Sequence, residues 1–403
     1  MKYITVLVDG MADYEIESLG NKTPLQVANI PNITNLAQKG EIGLVQTVPK
    51  GMSPGSDTAN LSVMGYAPEI YHTGRSPLEA ASMGVELLET DVTFRCNVVT
   101  LSEDEPYDEK TMIDHSAGEI SSEESKELIL FLKKELENEF IKYYPGVSYR
   151  HLIVWDNGPL EFTLIPPHDF LGQKVTSYLP QGPNSGILYD MMKKSFDLLN
   201  NHPINISRKE KGLNPANSIW IWGEGKKPKL DSFNEKFGLK GSVISAVDLI
   251  YGIGILAGLK AIPVEGATGT IHTNFDGKAT AAIKAILDGD DFVYIHLEAP
   301  DECGHQGDLD GKIKSIEIID EKIVKPVQNA MEKAGEAYRI LILPDHRTPI
   351  KIRTHSSEPV PYVIYDSTLD SFKEENRFSE MAAENSGKFF SAGHELLNYF
   401  LQK

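Results

Sequence analysis

The sequence predicts an α/β fold assembled from both ends of the chain and interrupted by an α+β insertion, and three observations predict it. Short runs rich in β-branched and aromatic residues, "YITVLVDG" (3–10), "DFVYIHLEAP" (291–300), "RILILPDH" (339–346) and "PYVIYD" (361–366), read as strands buried on both faces of a parallel sheet. Helical patterns lie between them, and that alternation implies a sheet wound with helices. From about residue 77 to 240 the alternation stops and turn signals become dense. Residues 1–76 and 241–403 are therefore expected to form one discontinuous domain, and 77–240 an inserted one.

Taken in order, "TPLQVANIPNITNLAQKG" reads as a helix with Thr23 as N-cap, Pro24 at its first position and Gly40 past its end. "DTANLSVMG" is a short helix after a glycine and a serine. In the insertion, "SSEESKELILFLKKELENEF" is amphipathic and opens on the capping-box pattern Ser121 to Glu124. "YRHLIVW", "EFTLI" and "SIWIWG" are strand-like around a second helix, "GILYDMMKKSFDLLNN"; Trp220 and Trp222 are read as one core residue and one facing a cleft. Beyond it, "KATAAIKAIL" and "KIKSIEIIDEKIVKPVQNAMEKAG" are helices, the latter kinked near Pro326.

The 403 residues carry 39 Lys+Arg against 58 Asp+Glu, a formal charge of -19, which argues against nonspecific binding of nucleic acid or anionic membranes. Two cysteines far apart, Cys96 and Cys303, form no disulfide framework and fit a reducing cytoplasm. Cys303 reads as a buried filler. No apolar run approaches the roughly 20 residues of a membrane span, and "MKYITVLVDGMADYE" reads as a first core strand rather than a secretion signal.

Functional groups in such folds collect beyond the carboxyl ends of strands. Asp9 follows "YITVLV", Asp301 and His305 follow "FVYIHLE" in an acidic loop, Asp345 and His346 follow "RILILP", and His355 lies in the loop before "PYVIYD". Three carboxylates brought this close would repel, and divalent cations remove the conflict. Mixed His and carboxylate donors suit zinc or manganese better than calcium. Ser56, after Pro54 and Gly55, is either an ordinary helix N-cap or a nucleophile set where helix amides favour negative charge. Lys278 in "TGTIHTNFDGK" reads equally as a surface position or a phosphate contact, and His394 as part of a helix surface.

The motifs "VDGMAD", "PGSDTANLSVMGY", "TGRSPLEAASMG", "FRCNVVTL", "DHSAGEIS", "NPANSIWIWGEG", "EAPDECGHQGD" and "PDHRTPIKIRTHSSEPVP" occur in order along most of the chain. In these the sequence resembles the alkaline phosphatase superfamily, and closely the archaeal-type cofactor-independent phosphoglycerate mutases. The resemblance implies an alkaline-phosphatase-like three-layer sandwich and two divalent metal ions, with manganese, zinc, cobalt and magnesium as the candidates. Asp301, His305 and His355 match the ligands of one ion; Asp9, Ser56, Asp345 and His346 match those of the other. It implies a phosphoserine intermediate at Ser56, a phosphoglycerate substrate and no requirement for 2,3-bisphosphoglycerate.

A mutase must retain its glycerate, so the insertion is expected to supply cations. The candidates are Arg75, Arg95, His115, Arg150, His168 with Asp169, and Arg208. Three other readings stay open at this point: a metal-dependent phosphatase or phosphodiesterase with the same centre, a phosphotransferase on another small metabolite such as a proposed homoserine kinase, and a noncatalytic binding protein. Neither a G-x-x-x-x-G-K-[ST] loop nor a comparable glycine-rich nucleotide cradle occurs, which weighs against the kinase. Oligomeric state leaves no signature in the sequence.

Overall fold

The computed structural model describes residues 1–374 and 376–402, and the chain divides into two compact units, Met1–His72 with Lys229–Lys403, and Thr73–Pro228. In the first unit, strands β1 (Lys2–Val8), β2 (Glu41–Val45), β8 (Gly241–Ile244), β9 (Lys260–Ala261), β10 (Phe292–Leu297), β11 (Tyr338–Leu343), β12 (Val360–Asp366) and β13 (Phe389–Phe390) make one sheet. Its order is β13-β2-β12-β11-β1-β10-β8-β9. Strand β1 lies at the centre, parallel to β10 and to β11, so the carboxyl ends of all three open on one edge.

Both faces of this sheet are covered. Ile4, Val6 and Val8 of β1 pack in one apolar cluster with Ile33 and Leu36 of helix Pro31–Lys39, Ile286 of Phe275–Leu287, and Ile316 of Leu309–Ile319. On the opposite face the Tyr3 ring meets the Phe400 ring edge-on at 5.6 Å, and Gly254 of helix Asp248–Leu256 approaches Val243. Alternate residues of a strand point to opposite faces, and both faces being apolar explains the unbroken hydrophobic runs.

Pattern and structure differ at the punctuation. The helix expected over 23–40 is two, Pro24–Val27 and Pro31–Lys39, because Pro31 cannot continue the first and starts the second. The Thr23 cap holds as a full capping box with Gln26. Near Pro326 the long helix widens into a π-helical turn, Asp320–Val324, which accommodates the missing N–H without breaking the rod. The acidic loop expected around Asp301 is the helix Ala299–Gln306.

In the second unit, β3 (Val92–Leu101) pairs antiparallel with β6 (Arg150–Trp155) on one side and β7 (Ser218–Lys226) on the other. β4 (Met112–Asp114) and β5 (Ile141–Tyr144) complete the sheet. Helices Ser122–Leu136 and Ser185–Leu199 pack on it. The segment "EFTLI" forms only an isolated bridge, Thr163 to Gln181, not a strand. Trp220 and Trp222 are both buried, since positions i and i+2 share a face. Ser121 Oγ accepts from Glu124 N–H at 3.2 Å, whereas the Glu124 carboxylate is taken by Arg208. No helix among the described residues is long and apolar enough to cross a membrane.

Candidate metal centre

The edge formed by β1, β10 and β11 brings together all seven expected metal-site residues, and two groups of their donor atoms, Asp301 with His346 and His355, and Asp9 with Asp345 and His346, lie within 4.8 Å of one another. Asp9 is the residue after β1. Gly10 follows it in a left-handed conformation (φ 62°), where a Cβ would stand 2.7 Å from the Asp301 backbone. Only glycine lets the two segments approach so closely. On helix Ala299–Gln306, the i,i+4 spacing sets His305 Nε2 3.2 Å from Asp301 Oδ2.

One half of the centre is open. His305 and His355 face each other with Nε2 atoms 2.9 Å apart, and His355 Nε2 is 3.4 Å from Asp301 Oδ1. Each imidazole is anchored by its other nitrogen: His305 Nδ1 to the Arg353 carbonyl at 3.0 Å, His355 Nδ1 to the Pro54 carbonyl at 3.1 Å. A carbonyl only accepts, so Nδ1 carries a proton on each ring, and Nε2, which hydrogen-bonds Asp301 here, is the nitrogen that could give up its own proton and offer a lone pair to a cation. The same holds for His346. Thr348 Oγ1 donates to Asp301 Oδ1 and so receives His346 Nδ1–H at 3.3 Å, freeing His346 Nε2.

The other half is buried. His346 Nε2 lies 3.4 Å from Asp345 Oδ2, 3.6 Å from Asp9 Oδ1 and 3.4 Å from Ser56 Oγ. Asp345 accepts from the N–H groups of Gly10 and His346 on one oxygen and from Asn60 Nδ2 on the other. Asn60 is itself fixed by the Tyr294 hydroxyl at 2.6 Å. Ser56 is the first residue of helix Ser56–Val63, whose N-cap is Gly55, and its hydroxyl faces His346 Nε2. Ser56 is therefore not the N-cap, and its hydroxyl lies beside the His346 imidazole.

Electrostatics shows what this cluster lacks. Burial, then the charges of Asp345 and Asp301, push the Asp9 carboxyl well above the usual range. Burial would also raise Asp301, but hydrogen bonds from His305 and His355 hold it well below. His305 is raised to about 9, first by its bond to Asp301, and burial lowers His346. Among the described residues, Asp9 Oδ1 is buried without a hydrogen-bond partner. An orphaned carboxylate oxygen, several lone pairs turned inward and opposed like charges are what divalent cations relieve, so the donor set fits them.

Residues that the sequence reading passed over hold the ligands in place. They are Asn60, Tyr294, Thr348 and, above all, His296, whose Nε2 is 3.1 Å from Asp9 Oδ2. A histidine inside "FVYIHL" was the available signal, because a strand buried on both faces leaves an imidazole no solvent. Lys278 is neither on the surface nor a free cation: it is buried, and its Nζ donates to the His296 carbonyl at 3.0 Å. Cys303 is buried, as expected of a filler, and His394 is half-buried in helix Gly393–Phe400.

In the second unit Arg95 is the hub. Its guanidinium lies over the Trp222 ring at 4.2 Å, with Nε 3.1 Å from Glu79, and it feels the charges of Arg75 and Arg150. The His168 ring sits 5.4 Å from Trp222 and 5.9 Å from His115. Burial lowers the His168 pKa, and Asp169, at 3.6 Å, opposes this. Arg75, Arg95 and Arg150 thus form one cationic cluster, with the His115 and His168 rings beside the Trp222 ring that Arg95 covers. Arg208 does not join it. Its Nε, Nη1 and Nη2 are bound by the Asn214 carbonyl, Glu124 and the Ala117 carbonyl, and it is buried, so its role is structural.

Residues 37–205 match the family model described as 2,3-bisphosphoglycerate-independent phosphoglycerate mutase. The chain is 49% identical, over the whole of both chains, to a Geobacter sulfurreducens protein named probable 2,3-bisphosphoglycerate-independent phosphoglycerate mutase. It is 48% identical, again over the whole of both, to the 2,3-bisphosphoglycerate-independent phosphoglycerate mutase of Methanothrix thermoacetophila. Among solved structures it is similar to the PH0037 protein of Pyrococcus horikoshii, with a TM-score of 0.82 at 28% identity, covering 99% of this chain and 96% of that one. It also shares the fold of the cofactor-independent phosphoglycerate mutase of Thermoplasma acidophilum, with a TM-score of 0.67 at 23% identity over 100% and 99% of the two chains.

Proposed function

The chain belongs to the family of 2,3-bisphosphoglycerate-independent phosphoglycerate mutases, and from that premise we propose that it interconverts 2- and 3-phosphoglycerate through a phosphoserine at Ser56 in a two-cation centre. Asp301, His305 and His355 would hold one ion, and Asp9, Ser56, Asp345 and His346 the other. Two divalent cations held there would polarise the phosphate monoester and favour the alkoxide form of the serine.

Ser56 Oγ attacks phosphorus in line with the ester oxygen, forming the serine–phosphorus bond as the carbon–oxygen–phosphorus bridge breaks at phosphorus. The glycerate leaves as an alkoxide and takes up a proton. Reversal through its other hydroxyl returns the phosphoryl group and restores the serine. The observation that carries this reading is the Ser56 hydroxyl, 3.4 Å from His346 Nε2 at the start of a helix whose N-cap is Gly55.

Between the two half-reactions the glycerate must be retained, and its carboxylate needs cationic partners. The cluster of Arg75, Arg95 and Arg150, with His115 and His168 beside it, supports that role for the second unit, with Asp169 the residue opposing His168. Manganese, zinc, cobalt and magnesium all fit the donors, and the acidic, disulfide-free chain suits the cytoplasm. Rapid acid quench with 3-phosphoglycerate, followed by peptide mass spectrometry, tests the proposal: a phosphate on Ser56 is expected. Turnover with no label on Ser56 and full activity of Ser56→Ala would defeat it.

A further inference from the structure

All six residues of β10, "FVYIHL", are buried, and His296 is the imidazole among them. Such a ring is costly inside unless both nitrogens find partners. Both do. Nε2 faces Asp9 Oδ2 at 3.1 Å, and Nδ1 faces Ser245 Oγ at 3.3 Å, just past the neighbouring strand β8. Ser245 Oγ accepts the Val247 N–H at 3.0 Å and has its own proton to donate to Nδ1, the direction that matches an Nε2–H facing the Asp9 carboxylate. An imidazole that accepts at Nδ1 carries its proton on Nε2, the nitrogen that faces the carboxylate. Nε2–H therefore donates to Asp9 Oδ2.

The consequence lies in the other oxygen. Among the described residues Asp9 Oδ1 is buried and has no hydrogen-bond partner, 3.6 Å from His346 Nε2, whereas both oxygens of Asp345 accept hydrogen bonds. We infer that Ser245 and His296 are positioning residues, a relay that fixes one oxygen of Asp9 so that the other is aimed at a cation. Lys278 steadies the same strand end through the His296 carbonyl. The inference rests on the site being a cation centre.

The test strips the full-length protein of metal and returns manganese, followed by titration calorimetry and electron paramagnetic resonance. Wild type is expected to bind two ions. His296→Leu should weaken one of them by about tenfold to a hundredfold and spare the other. His296→Gln, whose amide can donate where Nε2–H does, should recover most of that loss, and Ser245→Ala should fall between. In magnesium-loaded protein labelled with 15N-histidine, the signal that disappears in His296→Gln should show protonation on Nε2 alone. If His296→Leu does not fold, Ser245→Ala and the tautomer decide. A proton on Nδ1, or wild-type affinity at both sites in a folded His296→Leu, overturns the relay while the cation centre stands. Wild type that binds no manganese overturns both.

Discussion

The two halves of the centre are built differently. In the buried half, the side chains of Asp9, Asp345 and His346 are at most 2% exposed, and each is gripped by further side chains or backbone amides from deep in the sheet. In the open half, His305 and His355 are 36% and 21% exposed and hang from the carbonyls of Arg353 and Pro54 in loops. Like charges strain the first half, while the second is satisfied by its own Asp301–His305 pair. The half that holds the proposed nucleophile is the buried, tightly bonded one, and the other donors meet solvent.

The largest expected effect breaks the buried half at the proposed nucleophile. Ser56→Ala should lower mutase turnover by roughly four to six orders of magnitude in a coupled assay for 2-phosphoglycerate, with the fold intact by circular dichroism. Next, removing one charged partner from the structural ion pair in the second unit separates it from the cationic cluster. Arg208→Ala should cost about 2 kcal/mol or more in urea unfolding, because Glu124 and two carbonyls lose their donor. Arg150→Ala, on an exposed side chain, should stay within about 0.5 kcal/mol in stability yet raise the KM for phosphoglycerate.

Two smaller effects set the halves against each other in chelated protein. A carboxyl whose folded pKa is raised costs stability as pH climbs above its unfolded value. Asp9→Asn should therefore raise the thermal midpoint, more at pH 8 than at pH 5, while losing activity. His305 has the opposite sign: raised from 6.5 to about 9, it adds stability below pH 6.5 that is lost as pH rises through 9. His305→Asn should accordingly lower the midpoint at neutral pH and flatten its decline toward pH 9. Equal signs for the two variants would erase the distinction.

Legibility in the sequence divides along the same line. Asp9, Asp301, Asp345 and His346 were legible because strands buried on both faces are unbroken apolar runs, and the polar residues at the end of each run stand out against it. Ser56 was ambiguous, since a cap and a nucleophile favour the same place at a helix start; the Gly55 cap in the structure sets aside only the capping role. His296, Asn60 and Tyr294 were missed because a side chain that orients a ligand matches its partner in space, 287 residues away for His296 and Asp9. Arg208 stands apart from the other candidate cations for a related reason. Nothing in "ISRKEKG" distinguishes an arginine bound by two carbonyls and a carboxylate from one turned to a substrate. In the second unit the sheet is antiparallel, fold and ligand draw on the same charges, and strand ends give no pointer.

The most direct measurement uses purified protein with added manganese, 3-phosphoglycerate and no 2,3-bisphosphoglycerate, recording 2-phosphoglycerate and inorganic phosphate together. The two-cation, phosphoserine account predicts 2-phosphoglycerate at equilibrium with its isomer while phosphate stays at background, and neither product with Ser56→Ala. Steady release of phosphate without 2-phosphoglycerate would contradict it.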